Sequence, residues 1–117
     1  MKLLTVLNRL QKLHPKAIDL SLDRIINLCK KLGNPQKILK CISIVGTNGK
    51  YSTIQAIRAI LKEANINVNI YSSPHIQKIN ERFIFNDEEI SDENLEKLLT
   101  EVEEINSGEA ITYFEIL

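Results

Sequence analysis

The sequence predicts an α/β fold with a parallel βαβ core, on three observations. The apolar, β-branched run Ile42-Ser43-Ile44-Val45 breaks into the glycine-bounded turn Gly46-Thr47-Asn48-Gly49-Lys50. Apolar residues then recur at helical spacing at Ile54, Ile57, Ile60, Leu61 and Ala64. A second β-branched run, Val68-Asn69-Ile70-Tyr71, closes the span. Strand, loop, helix and strand in this order form one right-handed crossover unit, with the two strands parallel and ligands gathering at their carboxyl ends.

The flanking elements follow from periodicity and stop signals. Leu3, Leu4, Leu7, Leu10 and Leu13 share a helical face and end before His14-Pro15, which predicts an amphipathic N-terminal helix closed by proline. Leu22, Ile25, Ile26, Cys29 and Leu32 predict a second helix, stopped by Gly33 and Asn34-Pro35. After the βαβ span, Phe83-Ile84-Phe85, Asn86-Asp87 and Glu88-Glu89-Ile90 read as a β-hairpin. Ser91 is placed to cap a helix whose apolar stripe is Leu95, Leu98, Leu99, Val102 and Ile105, ended by Ser107-Gly108. Thr112 and Glu115 have capping-box spacing and predict another helix start. No internal repeat or low-complexity tract interrupts the chain.

Composition narrows the function classes. With 117 residues, 44% of them apolar and 26% charged, the chain has material for one modest core. A formal net charge of +0 offers no basic field for nucleic acid or an anionic membrane surface. Cys29 and Cys41 fall on apolar-face or strand-edge positions and read as buried free thiols of a reducing compartment. No leader-like or membrane-length apolar run is present in the sequence, and a cytoplasmic location is expected.

The turn at Gly46 has the chemistry of a phosphate loop. Glycines let backbone N–H groups converge on an anion, the following helix adds its positive end, and Lys50 brings a point charge to terminal phosphates. The hydroxyls of Ser52 or Thr53 are within reach of a bound Mg²⁺. The spacing departs from G-x-x-x-x-G-K-[ST]: only Thr47 and Asn48 separate the glycines, Ile44 stands at the first glycine position, and Tyr51 follows the lysine. An ordinary turn between strand and helix is the alternative reading of this loop taken alone.

GTNGK, a further residue and then Ser/Thr resembles the ATP loop of the Mur ligase superfamily, most closely its folate branch, folylpolyglutamate synthase and dihydrofolate synthase. HPKAIDLSLDR (His14 to Arg24), YSSPHIQKINER (Tyr71 to Arg82), Ile90-Ser91-Asp92-Glu93 and ITYFE (Ile111 to Glu115) resemble the same branch in the same order. The resemblance implies residues 1–117 as the N-terminal portion of a P-loop-type Mur ligase ATPase domain, with the remaining ATPase domain and a glutamate-binding domain lying elsewhere. It implies ATP and Mg²⁺ as cofactors and an ATP-dependent amide ligase that joins L-glutamate to dihydropteroate or folate through an acyl phosphate. Lys50 is then the catalytic residue. Gly46, Thr47, Asn48, Gly49, Lys50, Tyr51 and Ser52 bind nucleotide, and Ser73 with Ser52 holds the metal.

Asp19 and Leu20, with Thr112, Tyr113, Phe114 and Glu115, correspond to substrate-contacting segments. Asp19 is equally readable as a carboxylate near a helix start, and the capping box alone accounts for Thr112 and Glu115. The Ser73-Pro74 step also reads as a plain turn, and His75 as a loop residue. Asn80-Glu81-Arg82 matches the branch without suggesting a chemical role. Asp87, Glu88, Glu89 and the acids between Glu101 and Glu104 read as solvated surface. Tyr51 is expected in a right-handed helical conformation with its ring turned away from the loop. The full-length enzyme is expected to be a monomer without nucleic-acid or membrane partners, and the chain alone to be inactive. The rival readings are a non-catalytic nucleotide-binding fragment and another P-loop NTPase such as a small-molecule kinase.

Overall fold

Amphipathic periodicity becomes helix wherever a partner face exists. A computed structural model describes residues 2–117. In chain order its helices are α1 (Lys2–Gln11), α2 (Asp23–Lys31), α3 (Lys50–Glu63), α4 (Asp92–Asn106) and the short α5 (Tyr113–Ile116). The strands are β1 (Ile70–Tyr71), β2 (Phe83–Phe85) and β3 (Glu88–Glu89), and single 3-10 turns cover Pro35–Ile38 and Ile79–Arg82. Two units result, one from the chain up to Leu39 together with Asp92–Leu117, the other from Lys40–Ser91.

The first unit is helical. Leu3, Val6 and Leu10 of α1, Leu28 of α2 and Leu95 and Leu99 of α4 are buried, joined by Ile111 and Ile116 around α5. α1 and α2 each pack on α4, and both also touch α5. The buried stripes are rotated from the expected ones: Val6 is inside while Leu4 is exposed, and Leu28 is inside while Ile26 and Leu98 are exposed. A leucine-rich helix offers overlapping faces, and the partner helices decide which is covered. Arg9 of α1 donates from Nε and Nη2 to the two carboxylate oxygens of Glu103 on α4, at 2.8 and 2.9 Å. The stops behave as read: Gly33 and Asn34 follow α2 at φ 82° and 54°, and Ser107 and Gly108 follow α4 at 54° and 73°.

The second unit differs from the expectation. Its sheet has the order β1-β2-β3, with both pairings antiparallel. Ile42–Val45 runs without strand pairing and Val45 is 87% exposed, so the parallel βαβ pairing is not formed among the described residues. A strand is defined by its ladder, and no described segment lies alongside this run to supply one. In the same unit no residue of α3 is buried and Cys41 is exposed; Cys29, on α2 of the helical unit, is only half-buried, so neither is the expected buried thiol.

The predicted hairpin is present. Ile84 faces Glu89 and Phe85 faces Glu88, with Asn86 and Asp87 at φ 50° and 70° in the turn, the left-handed pair that a two-residue hairpin loop requires. Tyr71 and Phe83 pair across β1 and β2 with ring centroids 5.3 Å apart. Asp87 is more than solvated surface: Arg58 Nε and Lys62 Nζ of α3 donate to it at 2.6 and 2.5 Å, tying that helix to the turn.

Leu10 and Leu95 are the fully enclosed leucines of the helical unit, 0% and 1% exposed. Truncating either to alanine should lower the unfolding free energy by roughly 2–5 kcal/mol. Val45→Ala should change it by no more than about 0.5 kcal/mol. Denaturant titrations of the three variants check this contrast.

Candidate functional site

The segment from Lys40 to Val45, without regular secondary structure, leads into a loop that turns on two glycines, Gly46 at φ 150° and Gly49 at φ 77°. A Cβ at either would meet nothing within 4 Å, so backbone conformation and not space calls for glycine there. Gly49 is the N-cap of α3 and makes no side-chain cap hydrogen bond. The first N–H groups of a helix have no partner within the helix, and the first residue of α3, Lys50, is exposed and in no ion pair among the described residues. Thr53 turns inward instead, donating from both N and Oγ1 to the Gly49 carbonyl at 3.0 and 2.8 Å. The Ser52 hydroxyl is exposed and not engaged in this way. Tyr51 lies in the first turn of α3, outside the positive-φ residues, and is 72% exposed, as the sequence suggested.

In the same unit, β1 runs into Ser72-Ser73-Pro74-His75, with a cis bond between Ser73 and Pro74. Ser72 N donates to the Arg82 carbonyl at 3.0 Å, continuing the sheet for one more rung. Arg82 Nε donates to His75 Nδ1 at 2.8 Å. Glu81 accepts from the backbone N–H groups of Ile76, Gln77 and Lys78 at 3.1, 2.7 and 2.8 Å. These bonds, that from Lys78 foremost, hold the Glu81 carboxyl below the ordinary carboxylate range, with burial opposing. Buried Asn80 donates from Nδ2 to the Ile90 carbonyl at 3.0 Å. Asn80, Glu81 and Arg82 therefore have the role that sequence reasoning missed: they fasten the loop that carries Ser73. The available signal was the spacing of Lys78 and Glu81, an acid three residues beyond a turn start.

The other candidate residues lie in the helical unit, and Arg24 gathers them. Its Nε and Nη2 grip the Glu115 carboxylate at 2.9 and 2.8 Å, while Nη2 also donates to the Asp19 carbonyl at 2.5 Å. Nη1 reaches Asp19 Oδ2 at 3.5 Å, which His14 Nε2 approaches at 3.3 Å. Glu115 also accepts from Thr112 N, and Thr112 Oγ1 accepts from Glu115 N, both at 3.2 Å, completing the predicted capping box. Thr112 is buried, Tyr113 half-buried, Phe114 exposed, and Leu20 94% exposed. The polar groups of Thr112 and Glu115 are thus committed within the protein. Asp19 Oδ1, Leu20 and the Phe114 ring are what this unit can turn to a ligand. Arg24 was not singled out in the sequence because nothing local distinguishes an arginine in the first turn of a helix.

Hydroxyls and backbone amides, rather than a metal cage, characterise the candidate site: no group of three or more His, Cys, Asp or Glu able to hold a metal occurs among the described residues. No helix among them is long and apolar enough to cross a membrane.

No protein-family model matches the chain. It is 38% identical over 109 residues to the dihydrofolate synthase/folylpolyglutamate synthase of Haemophilus influenzae, covering 93% of this chain and 25% of that protein. To the Escherichia coli protein of the same description it is 33% identical over 109 residues, covering 93% and 26%. Among solved structures, E. coli FolC in complex with DHPP and ADP matches with a TM-score of 0.88 and 32% identity, over 97% of this chain and 28% of that one. A bifunctional folylpolyglutamate synthase/dihydrofolate synthase from Yersinia pestis, complexed with AMPPNP and Mn ion, matches with a TM-score of 0.82 and 32% identity over the same shares. The chain spans about a quarter of the length of the curated relatives it matches.

Two outcomes follow from this geometry. Hydrogen bonding to Arg24 holds Glu115 below the ordinary carboxylate range, with burial opposing. Such a group contributes stability that is present above its unfolded pKa of about 4.3 and lost as pH falls through the folded value. Acid titration of stability should therefore show a component below about pH 4 that Arg24→Met lacks; coincident acid limbs would contradict the pairing. Replacing Tyr51 with glycine should cost about 0.5–1 kcal/mol of helix stability and leave nucleotide affinity little changed, checked by thermal melts and a binding titration.

Proposed function

From a chain that corresponds to the N-terminal part of folylpolyglutamate and dihydrofolate synthases, we propose that it supplies the phosphate loop and the pterin-facing segments of an ATP-dependent amide ligase. The substrates are dihydropteroate or a folate, ATP and L-glutamate. The observation that carries the reading is the turn at Gly46 and Gly49, which feeds a helix start without a side-chain cap and places Lys50 on its first residue.

In this reaction a substrate carboxylate oxygen attacks the γ-phosphorus of ATP, giving an acyl phosphate and ADP. The glutamate amine then attacks the acyl carbon, and inorganic phosphate leaves with the C–O electron pair. The work of this chain is positioning and charge neutralisation. The N–H groups of the loop and first turn of α3 bind phosphate oxygens, and the Lys50 ammonium meets the group being transferred. Mg²⁺ supplies further neutralisation of phosphate charge, and the Ser52 and Ser73 hydroxyls are the oxygens that would hold it. Such a donor set suits a cation that completes its shell with phosphates and water. Asp19, Leu20, Thr112, Tyr113, Phe114 and Glu115 form the pterin side, with Asp19 and the exposed ring in contact and Thr112 and Glu115 holding α5.

On this reading the rest of the ATPase domain and the glutamate site lie outside residues 1–117. The full-length enzyme is read as a cytoplasmic monomer.

Removing a charge-assisted contact to phosphate should weaken binding about tenfold or more. Calorimetric titration with ATP and Mg²⁺ should show that loss for Lys50→Ala. Equal affinity in the two proteins would reduce the loop to an ordinary turn.

A further inference from the structure

We propose that Glu81 is a positioning residue for the metal-binding serine: it clamps the backbone that follows Ser73 and so fixes where the Ser73 hydroxyl points. The inference deepens the ligase reading and rests on it for the role of Ser73.

Three consecutive backbone N–H groups, those of Ile76, Gln77 and Lys78, converge on one carboxylate. Three acceptor contacts are more than a cap alone requires, since a capping glutamate reaches back to a single N–H. The other two bonds stop the exposed loop from flexing between Pro74 and the 3-10 turn at Ile79–Arg82. That turn is itself anchored by buried Asn80 on the Ile90 carbonyl. On its other side the loop is held by Ser72 N on the Arg82 carbonyl and by Arg82 Nε on His75 Nδ1. Ser73 and Pro74 are the exposed residues between the anchored Ser72 and His75, with the Glu81 clamp beginning directly after His75, and the Ser73 side chain makes none of these bonds. A hydroxyl on a free loop would lose rotational and backbone freedom on meeting a cation; one on a loop already ordered by Glu81 loses less. Ionised glutamate is the side chain suited to this task, because it accepts at both oxygens, whereas glutamine would present an amide NH₂ toward donors.

The test measures how strongly Mg²⁺ tightens ADP binding in the wild-type chain, Glu81→Gln, Ser73→Ala and the double variant. Glu81→Gln should leave Mg²⁺-free ADP affinity unchanged while reducing the Mg²⁺-dependent gain, and Ser73→Ala should do the same. The double variant should lose no more than Ser73→Ala alone, since both act through one oxygen. A merely structural Glu81 would lower the melting temperature without touching the Mg²⁺ gain, and that result overturns the inference while leaving the ligase reading intact. Wild-type ADP binding that is indifferent to Mg²⁺ overturns both. Hydrogen exchange on the wild-type chain decides the matter if Glu81→Gln does not fold: the amides of Ile76, Gln77 and Lys78 should be protected at neutral pH, and fast exchange at all three overturns the clamp.

Discussion

Every backbone N–H at a bend or a helix start needs an acceptor, and at two of the segments that matter most here a glutamate supplies it. Glu115 reaches back to Thr112 and closes the start of α5. Glu81 takes up three successive amides after the Ser73 loop. The start of α3 has glycine at its cap and no side-chain acceptor. Two of these backbone stretches thus have an internal acceptor and the third has no side-chain cap, the opening at which the proposed phosphate would sit.

Carboxylates also carry the electrostatics. Glu115 is held ionised by Arg24, Glu103 by Arg9, and Asp87 by Lys62 and Arg58. Each pair joins segments far apart in sequence, so a chain of zero formal net charge is laced by ion pairs rather than surrounded by a field. Exposed pairs such as that of Arg9 contribute little individually. The Arg24 arrangement differs because its fork also holds the Asp19 carbonyl, making one guanidinium responsible for the relative placement of two candidate substrate segments.

Much of the local structure was legible in the sequence because the signals are short-range. The glycines at 46 and 49, the Asn86-Asp87 turn, the Thr112 capping box and the helix stops at Gly33 and Gly108 all require a particular φ or a cap within a few residues. The helical tilt of Tyr51 was legible for the same reason. What failed was long-range. Strand identity for Ile42–Val45 depends on a neighbour that local pattern cannot name, and the pairing that does form, β1 with β2, is antiparallel. Helix faces were rotated from the expected ones, as at Val6 against Leu4, because apolar residues on both sides of a stripe satisfy the same periodicity. Arg24 escaped notice since its partner is defined by the fold, across ninety-one positions of chain, whereas the Glu81 bonds are local and their signal, the spacing from Lys78, was passed over.

The central claim is that the loop at Gly46 and the loop at Ser73 receive the phosphates and the cation of a nucleotide. Mapping backbone amide chemical shifts during titration with ADP and Mg²⁺ tests it most directly. The account predicts the largest changes at Gly46 through Thr53 and at Ser72 through His75, with Arg58, Lys62 and Asp87 unaffected. Changes centred on those ion-paired residues instead, or none in the Gly46 loop, would contradict it.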